Sequence, residues 1–163
     1  YSAARIGALM LPWALASAIA ITASKRLLAR FGPATVLRMG MILQASGLLL
    51  MAMLPQPAFA LAGLLFALMG AGGSLCSSTA QTLAFHGVEG EALGDASALW
   101  NLNRQLSFCL GTAAIALLLA LAMQWLPARA TSVALGLAAA MTLLPMALLR
   151  HSHSVSLSQP ENA

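Results

Sequence analysis

The sequence predicts an all-α integral membrane protein with five transmembrane helices. Of its 163 residues, 60% are hydrophobic and 7% are charged, whereas a typical soluble domain has about 25% charged residues. Its uncharged runs reach the length of about 20 residues that crossing a bilayer requires. The alternative is a soluble all-α protein with a very apolar core, but such a chain would expose more apolar surface than soluble monomers do.

Prolines, glycines and polar clusters divide the apolar sequence into separate spans. The interruptions are a Gly-Pro pair at 32–33, a proline-containing turn at 55–57 and the polar stretch 86–95. The predicted spans cover about residues 6–22, 34–54, 58–85, 96–123 and 131–149. They form one transmembrane bundle over residues 1–150, and the Ser-rich tail 151–163 is predicted to be a disordered cytoplasmic segment.

Basic residues fix the predicted orientation. Residues 24–38 hold four of the eight lysines and arginines, and such residues beside membrane spans are retained on the cytoplasmic side. With this stretch as a cytoplasmic loop, the basic residues on the inside are Lys25, Arg26, Arg30, Arg38, Arg104 and Arg150. Only Arg5 and Arg129 lie outside. The prediction is a multi-pass protein of the plasma (inner) membrane, with its N-terminus outside and its C-terminus inside.

Nucleic-acid binding, enzymatic activity and metal binding are not predicted. The net charge of +4 comes from basic residues at the ends of apolar runs, and no nucleic-acid-binding motif is present. Cys76 and Cys109 lie in apolar runs and are predicted to be buried thiols. His151 and His153 lack a third ligand, and no nucleophile–base pair or phosphate loop is present. No catalytic residue and no cofactor is therefore assigned.

Two spans are more polar than a lipid-facing helix needs to be. Residues 70–81 are rich in Gly, Ser and Thr, which allow close backbone approach and hydrogen bonds across helices. This stretch is predicted to be either a tight helix–helix seam or a substrate-facing wall. In the fourth span, Arg104 lies about two turns in, where a charge either extends to the headgroups or marks a functional site.

Three stretches carry a family resemblance. Residues 29–32 (ARFG) follow a span and resemble a D-R-x-G loop centre, in which Arg30 and Gly32 match and Ala29 replaces the acid. Residues 7–12 (GALMLP) resemble the opening of one span, and residues 96–106 (ASALWNLNRQL), followed by Gly111, resemble the penultimate span of the same family. Together they resemble the major facilitator superfamily, in particular its drug:proton antiporter branch of the 14-helix multidrug type. By this resemblance the chain is a C-terminal fragment that forms part of the C-terminal half of a major facilitator fold.

The resemblance implies proton-coupled efflux of drugs or amphipathic organic compounds by alternating access. The implied partners are the lipid bilayer, a small organic substrate, protons as the coupling ion and the missing N-terminal half; no nucleic acid is implied. Arg30 and Gly32 belong to the cytoplasmic loop motif, with a weakened conformational lock because the acid is absent. The candidate substrate-binding residues are Gln44, Ser74, Ser78, Asn101 and Asn103, although packing explains each equally well.

Acidic residues are absent from the middle of every predicted span. Proton coupling generally needs a titratable group within the membrane, and Glu89, Glu91 and Asp95 all lie in the polar stretch 86–95. The coupling carboxylate is therefore predicted to lie in the missing half. The alternative function is a small helical membrane subunit that scaffolds or binds a partner without transporting. The odd number of spans and the start at Tyr1 favour the fragment.

Overall fold

The computed structural model describes residues 3–54, 57–90 and 92–156, and over these residues the chain is all-α. The described helices are α1 (Ala3–Phe31), α2 (Pro33–Met53), α3 (Phe59–Ala84), α4 (Ala92–Trp125) and α5 (Ala130–Ser156), with a 3-10 turn at Pro127–Arg129. All five contain stretches long and apolar enough to cross a membrane, and the described residues include no strand. The predicted all-α membrane class is confirmed over the described residues, which form five such helices.

The basic stretch 24–38 is not a loop. Lys25, Arg26 and Arg30 lie on the last turns of α1, and Arg38 lies on α2. Lys, Arg, Leu and Ala are strong helix formers, so α1 continues well beyond the predicted end near residue 22.

A single residue, Gly32, separates α1 from α2. It has φ 75° and ψ 161°, a backbone conformation that is essentially restricted to glycine. The next residue, Pro33, occupies the first position of α2, where its missing N–H costs nothing. The Gly-Pro pair therefore ends one helix and starts the next without an intervening loop.

Other helix ends also differ from the sequence prediction. The fourth helix begins at Ala92, before the start near residue 96 predicted for this span, so Asp95 lies inside its first turn. The fifth helix continues to Ser156, so residues 151–156 of the tail expected to be disordered are helical. Residues 157–163, the remainder of that tail, lie outside the described residues, as do Pro55 and Gln56 of the predicted turn.

The third helix is the centre of the bundle. It packs against α1 on one side and α2 on the other, while α2 also packs against α5. Glycines make the close approach possible: a Cβ on Gly70 would lie 2.5 Å from the Trp13 carbonyl oxygen, and one on Gly72 would lie 2.5 Å from the Gln44 nitrogen. No side chain fits at either position, so these glycines hold α3 against both neighbours.

The fourth helix is the least packed. It contacts mainly α5, and none of its residues, all within the described part of the chain, is buried. Large apolar side chains stand out from it, with Leu110 70% and Trp125 81% exposed. Cys109 is exposed as well, so the prediction that this thiol is buried is wrong. Within a bilayer such apolar side chains contact lipid at no cost.

Candidate functional site

A cleft lies between the α1–α3 pair and α4. Its volume is about 690 Å³, within the range of about 300–1,000 Å³ typical of small-molecule pockets. The apolar lining residues are Met10, Trp13, Ile21, Phe66, Met69 and Phe108. The polar lining residues are Gln44, Ser74, Ser77, Ser78, Gln81 and Arg104, and Gly70 and Gly73 complete the wall. A shallower hollow of about 350 Å³ lies on α4 alone, around Phe108 and Gly111.

One face of α3 forms the long wall of the cleft. Its lining residues, at positions 66, 69, 70, 73, 74, 77, 78 and 81, follow the spacing of three and four residues that keeps side chains on one helix face. The wall changes character along its length: Phe66 and Met69 lie at one end, and Ser77, Ser78 and Gln81 lie at the other. At a rise of 1.5 Å per residue, these ends are about 22 Å apart.

Gln44 reaches the cleft from α2, across α3. A Cβ on Gly73 would lie 3.5 Å from the side-chain oxygen of Gln44, an ordinary van der Waals contact, so this amide lies directly beside Gly73. Gly72, directly before it, receives the backbone of α2. Of the two adjacent glycines, Gly72 is the one that close helix contact requires.

Hydroxyl groups along this wall are free to bind a ligand. Within the described residues, the Ser74, Ser77 and Ser78 hydroxyls make no hydrogen bond. By contrast, Thr82, one turn beyond Ser78, donates to the Ser78 carbonyl oxygen at 2.9 Å. These hydroxyls lie beside apolar side chains and are available as hydrogen-bond donors and acceptors. A polar group of a bound ligand could form hydrogen bonds with them.

Arg104 closes the polar end of the cleft from the α4 side. The Phe85 and Trp100 rings, just after the end of α3 and in the early turns of α4, meet edge to face with centroids 6.2 Å apart. Arg104 lies one turn further along α4 and shares the cleft lining with Gln81. Its guanidinium carbon lies 5.6 Å from the Phe108 ring centroid, within cation–π range. Arg104 is the charged residue among the described residues that line the cleft.

The cleft brings together four of the residues singled out in the sequence: Gln44, Ser74, Ser78 and Arg104. Asn101 and Asn103 are exposed on α4 and are not among its lining residues. Within residues 70–81, the glycines form the predicted helix seam, and the serines line the cleft. That this wall faces a substrate stays a prediction.

Arg30 and Gly32 lie apart from the cleft, at the junction of α1 and α2. Arg30 is exposed, and its guanidinium carbon lies 5.5 Å from the ring centroid of Phe31. No carboxylate of a described residue pairs with it, and Ala29 occupies the position before it.

Sequence reasoning missed the apolar wall, formed by Met10, Trp13, Phe66 and Met69. In the sequence of a membrane helix, the same apolar residue types are found whether the side chain faces lipid, a neighbouring helix or a cleft. Ser77 and Gln81 belong to the stretch 70–81 but were not among the candidate residues. Their signal is their position three and seven residues after Ser74 on the same helix face.

The residues described in the structure contain no group of three or more His, Cys, Asp or Glu side chains that could hold a metal ion. What the cleft offers is an apolar chamber with hydrogen-bonding groups and one cation at its polar end. Such a lining can bind and orient a small amphipathic molecule.

The fold and the cleft define a multi-pass helical membrane protein with a small-molecule-sized cleft between its helices. Comparison of the chain with protein-family models, with curated proteins and with solved structures finds no match.

Proposed function

We propose that the chain is the C-terminal part of a secondary active transporter that exports drugs or other amphipathic organic compounds in exchange for protons. The observation that carries the proposal is the cleft of about 690 Å³. Its mixture of apolar walls and scattered hydrogen-bonding groups suits ligands that combine an apolar body with polar substituents. The family resemblance of the three sequence stretches supports the same function.

The exposure of α4 supports the proposal that a partner covers the open side of the cleft. This helix bounds the cleft, yet none of its residues, all described, is buried, and it exposes Asn101, Asn103 and Arg104 beside its apolar residues. In alternating-access transporters, two helical halves enclose a site near the middle of the membrane and rock to expose it to either side. The proposed partner is the N-terminal half of the same transporter, in the plasma (inner) membrane, with the C-terminus of this chain cytoplasmic.

Proton coupling is proposed to depend on that other half. The described residues that line the cleft include no Asp or Glu. Glu89 is exposed before α4, and Asp95 is exposed in its first turn. Neutralising either, as Glu89→Gln or Asp95→Asn, should leave proton-driven transport intact at unchanged expression. Loss of coupling in either variant would place the coupling group on this chain.

The function is tested by efflux from cells that express the protein in its natural length. A fluorescent amphipathic compound should leave these cells only while a proton gradient is present, and an uncoupler should stop the efflux. Replacing Ser74 by Leu fills the cleft and should slow efflux about tenfold or more, the equivalent of about 1.4 kcal/mol. Thr82→Leu adds similar bulk at an exposed position of α3 outside the lining and should leave the rate unchanged. Equal rates for both variants, or efflux without a gradient, would contradict the proposal.

A second candidate function is a small helical membrane subunit that binds a partner and transports nothing. The exposure of α4 favours this function, because a separate protein partner could cover the polar side chains of α4 just as the other half of a transporter could. The two candidates differ in the efflux measurement. Stable association with a partner protein, without gradient-dependent efflux of any tested compound, would favour the subunit.

A further inference from the structure

The charge of the cleft indicates which amphipathic compounds it selects. We propose that it binds amphipathic anions, with the acidic group held by Arg104 and the apolar body lying toward Trp13 and Phe66. This inference rests on the proposed role of the cleft as a ligand site and narrows the substrate class.

The position of Arg104 along α4 suits a charged group at the edge of the membrane. Residues 105–125 carry no charge and end at Trp125, an aromatic residue of the kind found at membrane interfaces. These 21 residues span about 31 Å at 1.5 Å per residue, close to the thickness of the hydrocarbon core. Arg104 therefore lies where the hydrocarbon ends, and a charge there costs far less than at the centre of the bilayer.

The remainder of the cleft is arranged for a molecule with two unlike ends. Beside Arg104, the polar end supplies the side chains of Ser77, Ser78 and Gln81, with the serine hydroxyls unpaired within the described residues. The opposite end supplies Trp13, which packs at the level of Gly70, and Phe66. At 1.5 Å per residue, Gly70 lies about 17 Å and Phe66 about 22 Å from Gln81 along α3. A ligand with its head at the membrane edge and its body inside the bilayer matches this order.

The sign of the ligand charge follows from the presence of Arg104 and the absence of acidic residues among the described lining of the cleft. No Asp or Glu is present among its described lining residues, so a cationic head would meet Arg104 without a counter-charge. A carboxylate, sulfonate or phosphate ester would instead receive charge-assisted hydrogen bonds from the guanidinium, which matches such groups with two parallel N–H donors. Like charge repels and opposite charge binds, so anions are selected over cations of the same size.

The test uses Trp13, a cleft-lining residue, as an optical reporter. With Trp100→Phe and Trp125→Phe, Trp13 is the remaining tryptophan of the chain. In phosphatidylcholine nanodiscs, its energy transfer to three dansyl probes is titrated: the free sulfonate, which is anionic, the neutral sulfonamide and the cationic aminopentyl sulfonamide. The sulfonate should bind at least about tenfold more tightly than the cation, in keeping with the strength of hydrogen bonds to charged groups.

Matched variants separate the role of Arg104 from general attraction to a basic protein. Arg104→Gln and Arg129→Gln remove the same charge, but Arg129 is outside the cleft lining. Arg104→Gln should weaken sulfonate binding about tenfold and leave sulfonamide binding nearly unchanged, whereas Arg129→Gln should change neither. Arg104→Lys should retain part of the affinity, and circular dichroism should show that every variant keeps its helical content.

Anionic lipid and dissolved organic acids share this head-group chemistry, and a second lipid composition distinguishes them. If phosphatidylglycerol in the nanodiscs displaces the sulfonate from the wild-type cleft, a lipid is the natural anion. If the sulfonate still binds in the presence of phosphatidylglycerol, with an affinity that depends on Arg104, the natural anion is a dissolved acid. Equal binding of all three probes, with no effect of Arg104→Gln, would overturn anion selection while leaving the cleft a ligand site. No energy transfer from Trp13 to any probe would overturn the proposed function as well.

Discussion

The third and fourth helices differ in how the bundle uses them. The 26 residues of α3 include seven buried ones and contact α1 on one side and α2 on the other. The 34 residues of α4 include none, although all of them are described. Yet α4 contains the most apolar stretch among the described helices. In a membrane, lipid is as apolar as a leucine side chain, so small residues that allow close contact, and not hydrophobicity, decide which helix lies at the centre.

The glycines of the two helices give the strongest test of this comparison. A Cβ on Gly72 would lie 2.5 Å from the Gln44 nitrogen and 2.7 Å from the Gly40 oxygen, both of them backbone atoms that cannot move aside alone. Gly72→Ala should therefore lower the free energy of unfolding by about 3 kcal/mol, the upper end of the usual cost of overpacking.

On α4, the same change should have the opposite sign. A Cβ on Gly111 meets nothing within 4 Å, so Gly111→Ala should raise the stability slightly, because alanine is the better helix former. Unfolding of both variants by a denaturing detergent measures the difference. Equal effects at the two positions would mean that α3 and α4 are packed alike.

The junction of α1 and α2 should be the next most sensitive position. Gly32 adopts φ 75° and ψ 161°, a conformation in which a Cβ costs about 1–3 kcal/mol, so Gly32→Ala should destabilise the bundle by about that amount. Gly94, in the first turns of α4, has space around it and ordinary helical geometry, and Gly94→Ala is the control. Thermal unfolding in detergent micelles measures both, and a Gly32→Ala variant as stable as the control would argue against the one-residue junction.

The smallest expected effect concerns buried hydroxyls. Thr79 on α3 is fully buried, and its hydroxyl has no hydrogen-bond partner among the described residues. Valine has nearly the same shape without the hydroxyl, so Thr79→Val should stabilise the bundle by about 1 kcal/mol, the lower limit of the cost of an unsatisfied buried polar group.

Thr112 on α4 is exposed, so Thr112→Val should leave the stability unchanged. Loss of stability in Thr79→Val, measured by the same unfolding assay, would indicate that the Thr79 hydroxyl is paired inside the bundle, for example with a buried water.

The sequence was sufficient for the fold class because each helix is marked by an apolar run of membrane-spanning length. Helix ends were harder to predict. Charged residues such as Lys25 and Arg30 end an apolar run, but they favour helix, so α1 extends past the end of its span. Cys109 was expected to be buried because its neighbours are apolar, but on α4 apolar side chains face outward.

The cleft could be predicted only through its polar members. These members stand out in the sequence because a polar side chain in an apolar helix requires a polar partner or a functional role. They are Gln44, Ser74, Ser78 and Arg104. Trp13 and Phe66 do not stand out, since nothing in their identity separates a cleft wall from a lipid-facing surface. Asn101 also stood out, but lies outside the cleft: polarity indicates a need for partners without saying where those partners are.

The one-residue connection at Gly32 leaves no slack between the first two helices. A residue spans at most about 3.6 Å, so the adjoining ends of α1 and α2 are tethered within a few ångströms of each other. The segment 85–91, which joins α3 to α4, can extend to about 25 Å by the same measure. The connection between α1 and α2 is therefore short, and the connection between α3 and α4 is long. The length of the α3–α4 connection limits how far the cleft can widen at its polar end.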